Sequence, residues 1–164
     1  MNNQDQLRKV GNFVQEKVLT YDWIFCIIIA LFTIIYFQNI SIPVFLSTPL
    51  FSILSLIYFL SAYSYIEAED AIAFDRFAHK LISFSSSITM VGILFSNNHW
   101  AGSSRMLFIG ITILIIALVY ILLVKSKRPE TTIFNKIIII RLALLILCAA
   151  LILYKTNFKD NAGL

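Results

Sequence analysis

Long apolar runs constrain this chain more than any other feature. Each run has about the length that crosses roughly 30 Å of hydrocarbon at 1.5 Å per residue of helix. Short polar connectors separate the five runs, which lie at 22–38, 46–66, 81–96, 105–124 and 136–154. The 164 residues are 59% hydrophobic and 13% charged, so a water-soluble core of this size cannot hide the apolar surface. The sequence predicts an all-α integral membrane protein, a bundle of five transmembrane helices.

The segments that flank this transmembrane domain, 21–155, are polar. In the N-terminal segment, 1–20, apolar residues recur at three- and four-residue steps: Leu7, Val10, Phe13, Val14 and Val18. This spacing predicts an amphipathic helix that lies on the membrane surface or packs against the cytoplasmic side of the protein itself. The first run starts too late for a signal peptide and lacks a small-residue cleavage site, so we expect the N-terminus to be retained. The tail, 156–164, needs no structure.

The basic residues predict the orientation, because cytoplasmic loops are enriched in Lys and Arg. With the N-terminus in the cytoplasm, most basic residues flank the cytoplasmic helix ends, and only Arg105, Lys155 and Lys159 lie outside. The connectors at 39–49 and 96–105 and the C-terminus then face away from the cytoplasm. Since the basic residues are spread along the chain, we expect the lipid bilayer as a partner and no nucleic acid.

Residues 91–110, VGILFSNNHWAGSSRMLFIG, place a polar turn between two apolar runs. They resemble a helical hairpin of Bacteroidota membrane proteins, best known from the membrane subunit of the gliding-motility and type IX secretion motor. The residues in register are Leu94, Phe95, His99, Trp100, Gly102, Met106, Leu107 and Gly110. Ser96 replaces a lysine of that pattern, and Ala101 replaces its proline. The resemblance implies a hairpin in a bacterial inner membrane. It does not carry over the motor role, because 106–124 lacks the buried glutamate to which the family's proton coupling is assigned.

The turn itself has an interpretation without any chemistry. Trp100 suits the headgroup level, His99 and the asparagines satisfy backbone groups where a helix ends, and Gly102 allows the chain to reverse. We interpret the segment as an anchored turn. The alternative is a ligand or metal site at His99, for which a lone histidine supplies too few ligands.

Ionisable residues precede the third run, among them Glu67, Asp70, Asp75 and His79. In a helix, Asp75 and His79 lie one turn apart, and Glu67 shares a face with Asp70. Such spacing suits local ion pairs or a divalent metal. We expect a solvated cap with local pairs, and we predict no metal, no cofactor and no catalytic residue. The alternative is a lipid-modifying enzyme that uses these acids.

Arg141 lies inside the last apolar run, where an ionised side chain near the bilayer centre costs at least about 2.5 kcal/mol. It either snorkels toward Lys136 and the cytoplasmic headgroups, or forms a buried ion pair, or binds an anionic lipid headgroup. The candidate partners for a pair are Glu67, Glu69, Asp70 and Asp75.

The third run is rich in hydroxyl groups, including Ser83, Ser86 and Ser87. Small hydroxyl residues allow helices to approach closely, and they also line polar paths. The function we expect is a non-enzymatic, multi-pass membrane subunit that assembles with itself or with partner membrane proteins. The alternatives are a small oligomeric channel or pore lined by the serine face, and the lipid-modifying enzyme.

Overall fold

Six α-helices make up most of the residues that the structure describes. The computed structural model describes residues 3–38, 40, 43–64, 73–127 and 136–162. The helices are α1 (Asn3–Phe13), α2 (Asp22–Phe37), α3 (Val44–Ser61), α4 (Ala73–Asn97), α5 (Ser103–Lys127) and α6 (Lys136–Ala162). A π-helical turn, Val14–Val18, and a 3-10 turn, Leu19–Tyr21, join α1 to α2. No strand occurs in these residues, so the all-α prediction is confirmed.

Among the described residues, four helices are long and apolar enough to cross a membrane: α3, α4, α5 and the part of α6 from Ile137 to Asn157. The remaining apolar helix, α2, has 16 residues. It meets the N-terminal helix at a bend of 78° and counts toward a fifth span only if the bent pair is taken together. The chain is thus a helical membrane bundle with four candidate spans, and a fifth crossing at 22–38 stays a prediction.

Helix α4 lies at the centre of the bundle. In the most apolar 18-residue stretch of α4, 67% is buried inside the protein, whereas in the corresponding stretches of α5 and α6 the share is 33%. It packs against α3 on one side and α5 on the other, and it also touches α6, which in turn packs against α2. An edge-to-face contact between Phe32 and Phe51, with ring centroids 4.9 Å apart, connects α2 to α3. The contacts therefore run from α3 through α4, α5 and α6 to α2, and the Phe32–Phe51 pair returns from α2 to α3.

Small residues set the spacing between α4 and α5. A Cβ atom added to Gly110 would collide with the hydroxyl of Thr89, and one added to Gly92 would lie 3.0 Å from the Leu107 side chain. Glycine at these two positions allows the helix backbones to approach closely, as is common where membrane helices pack.

Helices α4 and α6 extend beyond the predicted bounds by two turns or more. Helix α4 begins at Ala73 instead of 81, because the charged residues before the third run include good helix formers and no glycine or proline. Helix α6 continues to Ala162 and so takes in most of the tail that we expected to need no structure. No proline or glycine interrupts it there.

Helix α1 packs against the C-terminal end of α3. Gly11 is buried there, and a Cβ atom added to it would lie 2.6 Å from the backbone nitrogen of Ser64. Val14 is also buried, while Leu7, Val10 and Phe13 stay exposed. Helix α1 therefore packs against the protein itself. Contact of its exposed apolar residues with a membrane surface stays a prediction.

Candidate functional site

A buried ion pair joins α6 to α2. The Nη1 group of Arg141 donates a hydrogen bond to Oδ2 of Asp22 over 2.9 Å, and the two side chains are only 8% and 4% exposed. Asp22 is the first residue of α2, where a carboxylate is favoured by the partial positive charge of the helix N-terminus. Arg141 lies in the second turn of α6. Each residue thus neutralises a charge that would otherwise be buried alone.

Tyr58 of α3 completes this cluster. Its hydroxyl donates to the other carboxylate oxygen of Asp22, Oδ1, over 2.8 Å. The guanidinium carbon of Arg141 lies 5.4 Å from the centroid of the Tyr58 ring, which is a cation-π distance. We call Asp22, Tyr58 and Arg141 the ionic triad. Both oxygens of the carboxylate are occupied, and three helices meet at one point.

The triad corrects the sequence-based choice of partner for Arg141. Of the four predicted acids, Glu67, Glu69 and Asp70 lie outside the described residues. The prediction that Asp75 pairs with Arg141 is wrong, because Arg141 bonds to Asp22 instead. Snorkelling toward Lys136 is also not what the structure shows, since Arg141 is 7% exposed and paired.

A signal for the Asp22 pairing was present in the sequence. Asp22 precedes the first apolar run, and Arg141 lies near the start of the fifth. If the five predicted crossings alternate in direction, the first and fifth helices start at the same membrane face, which places both residues at a similar depth. The acids at 67–75 were predicted instead because they lie at the same cytoplasmic level of the predicted topology.

Asp75 and His79, in the first turns of α4, are buried close to the same end of the bundle. Asp75 is fully buried and accepts a hydrogen bond from the Tyr120 hydroxyl over 2.6 Å. His79 is 6% exposed, and its Nε2 lies 3.2 Å from the Ser64 hydroxyl. The solvated cap predicted for these two residues is therefore wrong.

The other two acids of that prediction, Glu67 and Asp70, lie outside the described residues. Within the part of the chain that the structure describes, no group of three His, Cys, Asp or Glu side chains is placed to hold a metal ion.

The serines of α4 are packed between helices. Ser83, Ser86 and Ser87 are all buried. The Ser87 hydroxyl lies 2.8 Å from the hydroxyl of Ser55 on α3. The hydroxyl of Ser86 is buried and has no hydrogen-bond partner among the described residues. The Ser87–Ser55 contact is a hydrogen bond between neighbouring helices, as is common where membrane helices pack.

At the opposite end of the bundle, the turn at 98–102 connects α4 to α5. The backbone N–H of Trp100 donates to the Phe95 carbonyl over 2.8 Å, and the two rings meet edge to face at 5.1 Å. Gly102 has a φ of 90° and His99 a φ of 54°, so the reversal uses the left-handed region twice. Both His99 and Trp100 are exposed. This geometry favours the interpretation of an anchored turn.

Asn98 fastens this turn to α3. Its side-chain oxygen accepts from the Ser47 hydroxyl over 3.2 Å, and its side-chain nitrogen donates to the Thr48 hydroxyl over 3.3 Å. Ser96 continues the polar contacts, since its hydroxyl lies 2.8 Å from that of Thr156 on α6. These partners could not be predicted from the sequence, because they depend on which helices are neighbours.

Fold and site together define a class, an α-helical membrane bundle in which buried polar side chains bind one helix to another. No known protein family, curated protein or solved structure matches this chain. Its function therefore has to be argued from the geometry of these contacts.

Proposed function

We propose that the chain is a non-enzymatic, multi-pass subunit of a bacterial inner membrane that assembles with itself or with partner membrane proteins. The observation that carries the proposal is the pairing of the reactive groups. Asp22 binds Arg141 and Tyr58, Asp75 accepts from Tyr120, and His79 contacts Ser64. Side chains that an enzyme would direct at a substrate are used here to hold helices together.

The proposed topology has five crossings, with the N-terminus in the cytoplasm and the C-terminus outside. Two features of the structure support it. Helix α2 runs parallel to α6, since Asp22 contacts Arg141 at one end and Lys155 donates to the Tyr36 carbonyl at the other. Parallel first and last helices are what an odd number of crossings requires. The second feature is that α1, with Arg8 and Lys9, packs at the same end of the bundle as the ionic triad, which is the end with more basic residues.

The proposed assembly surface is the outer face of α2. Ile27, Leu31 and Ile34 follow one another at three- and four-residue steps and are 49–54% exposed. They form one apolar stripe on a helix that packs chiefly against α6. The shortness of α2 favours cover by a second protein helix, because 16 residues span about 24 Å, less than the hydrocarbon core of about 30 Å.

Mass measurement of the protein in lipid nanodiscs tests the assembly. The expected result is a complex of two or more copies, or one copy with a partner membrane protein. Leu31→Trp, on the stripe, should reduce the complex, whereas Ile116→Trp, on the exposed face of α5, should leave it intact. A strict monomer in the unmodified protein, with no partner, would refute the proposal.

Cysteine labelling tests the topology separately. In a chain whose two native cysteines are replaced by serine, single cysteines at positions 45 and 101 should react with a membrane-impermeant reagent from outside the cell. Both Phe45 and Ala101 are exposed, so accessibility does not limit the reaction. Labelling from the cytoplasmic side only would reverse the orientation.

A small oligomeric channel is the second candidate, and the buried Ser86 hydroxyl favours it. Among the described residues this group has no hydrogen-bond partner, and a bound water would supply one. A polar path along α4 would conduct ions or water in liposomes. Unchanged flux after Ser86→Leu and Ser87→Leu would exclude this candidate, and the lipid-modifying enzyme has no comparable observation in its favour.

A further inference from the structure

A pocket of about 340 Å³ opens beside the first turn of α5, at the end of the bundle that carries the His99–Trp100 turn. Its walls include His99, Trp100, Ser103, Ser104 and Arg105. We call it the α5 pocket. None of the contacts in the ionic triad involves these residues, so the pocket is separate from the site described above.

Several groups in the α5 pocket can donate hydrogen bonds. The first N–H groups of the 25-residue helix α5 have no acceptor within the helix and carry its partial positive charge. Ser103 is 7% exposed and lines the pocket, and its hydroxyl has no partner in the described part of the chain. Arg105 is exposed and has no carboxylate partner among the described residues. Together these groups suit an anion, and phosphate in particular.

An apolar groove adjoins the α5 pocket at Ser104 and Arg105. Ser104 and Arg105 also line a second cavity, of about 440 Å³, whose other walls include Phe108, Ile109 and Leu153. This cavity runs along the outer face of the bundle between α5 and α6. A hydrocarbon chain attached to a group in the α5 pocket would lie in it without leaving the apolar layer.

We propose that the α5 pocket binds the phosphate of a membrane phospholipid, with one acyl chain in the adjoining groove. Arg105 and the Ser103 hydroxyl hold the phosphate oxygens together with the first N–H groups of α5. Trp100, at 45% exposure, lies at the rim, where an indole ring suits the headgroup level. The inference goes beyond the proposed assembly and requires only that these helices lie in a bilayer.

Native mass spectrometry of the full chain in mild detergent provides the test. Phosphatidylglycerol and a diacylglycerol with the same acyl chains are titrated separately, so that the two lipids differ in the phosphate-containing headgroup. The expected result is a one-to-one complex with phosphatidylglycerol that is at least about tenfold tighter than the complex with diacylglycerol. Equal affinity for the two lipids would overturn the proposal.

Variants locate the site. Arg105→Gln should weaken the phosphatidylglycerol complex about tenfold, as expected for loss of a charge-assisted hydrogen bond. The matched control is Lys127→Gln, which removes an exposed charge from the last turn of the same helix and should have no effect. Circular dichroism confirms that both variants keep their helices. If Arg105→Gln and Lys127→Gln behave alike, the phosphate is not bound in this pocket.

A third variant separates the lipid from free phosphate, which shares the same chemistry. Leu153→Trp narrows the groove but leaves the α5 pocket unchanged. It should weaken phosphatidylglycerol binding at least threefold, and inorganic phosphate at millimolar concentration should not displace the lipid from the unmodified protein. Displacement by phosphate together with no effect of Leu153→Trp would identify a site for the free anion and refute the lipid.

Discussion

Removal of Arg141 tests the role of the ionic triad most directly. In Arg141→Met, the carboxylate of Asp22 stays buried at 4% side-chain exposure and keeps only the Tyr58 hydroxyl as a partner. Breaking a buried ion pair by removing one residue costs about 3–5 kcal/mol, because the remaining charge is uncompensated. We therefore expect the free energy of unfolding to fall by about that amount.

A double-mutant cycle separates the pair from other effects of the substitution. Asp22→Asn keeps the shape of the side chain and an acceptor for Tyr58, but it leaves Arg141 without its counter-charge. The combination of Asp22→Asn with Arg141→Met contains no buried charge at either position, so it should recover most of the loss. The expected coupling energy exceeds about 3 kcal/mol, because each single replacement leaves one buried charge without its partner and the double replacement leaves none.

The measurement is reversible unfolding in mixed micelles, followed by circular dichroism. Lys127→Met is the matched control, since Lys127 is an exposed cation on α5 and its replacement should change the free energy of unfolding by less than about 0.5 kcal/mol. Hydrogen exchange provides a second readout: in Arg141→Met, protection should decrease first in α2. A cost of less than about 1 kcal/mol for Arg141→Met, the value of a surface ion pair, would refute the argument.

Three further predictions follow from individual contacts. Gly110→Val should lower the free energy of unfolding by about 1–3 kcal/mol, measured by the same unfolding assay, because the new side chain collides with Thr89. If that contact is the cause, Gly110→Ala combined with Thr89→Ala should leave the free energy of unfolding nearly unchanged. Tyr58→Phe should cost about 1.5–3 kcal/mol for the lost hydrogen bond to a carboxylate, and the idea fails if thermal unfolding is unchanged. Gly11→Leu should release α1 from α3 and speed proteolysis within 1–20, whereas Leu7→Ala, at an exposed position, should not.

Much of the fold is predictable from the sequence, because the membrane solvent leaves few alternatives. A backbone in hydrocarbon must satisfy its own hydrogen bonds, so an apolar run of sufficient length forms a helix wherever it lies in the chain. The four candidate spans and the all-α class follow from this rule. The ends of the helices do not follow from it. Helix α4 starts at Ala73, in a charged segment of good helix formers, and nothing in that segment indicates where the membrane begins.

The candidate site was only half predictable. The sequence identifies Arg141 as unusual, because a charge inside an apolar run is costly in any arrangement. It does not identify the partner, since Asp22 and Arg141 are separated by 119 positions and meet only after α2 and α6 become neighbours. Asp75 and His79 show the same limit. Their charge predicts contact with water, and their burial depends on the neighbouring Tyr120 and Ser64.

The polar contacts explain why α2 and α6 take one particular register. Between membrane helices, lipid is as apolar as the side chains, so apolar contact alone selects a register weakly, and polar contacts and close packing decide it. Two of the cations on α6, Arg141 and Lys155, lie 14 residues apart. Their partners on α2 are the Asp22 carboxylate and the Tyr36 carbonyl, separated by 36 − 22 = 14 residues.

Equal separations on two parallel helices allow both contacts to form at once. One end of α2 presents a carboxylate, and the other presents the free carbonyl groups of a helix C-terminus, which a cation stabilises. The Lys155 ammonium also lies 4.5 Å from the centroid of the Tyr36 ring. A shift of one helix turn would break both contacts and leave Asp22 and Arg141 buried without each other. The cost of that shift is therefore at least the cost of breaking the ion pair, about 3–5 kcal/mol, and this penalty specifies the position of α2 in the bundle.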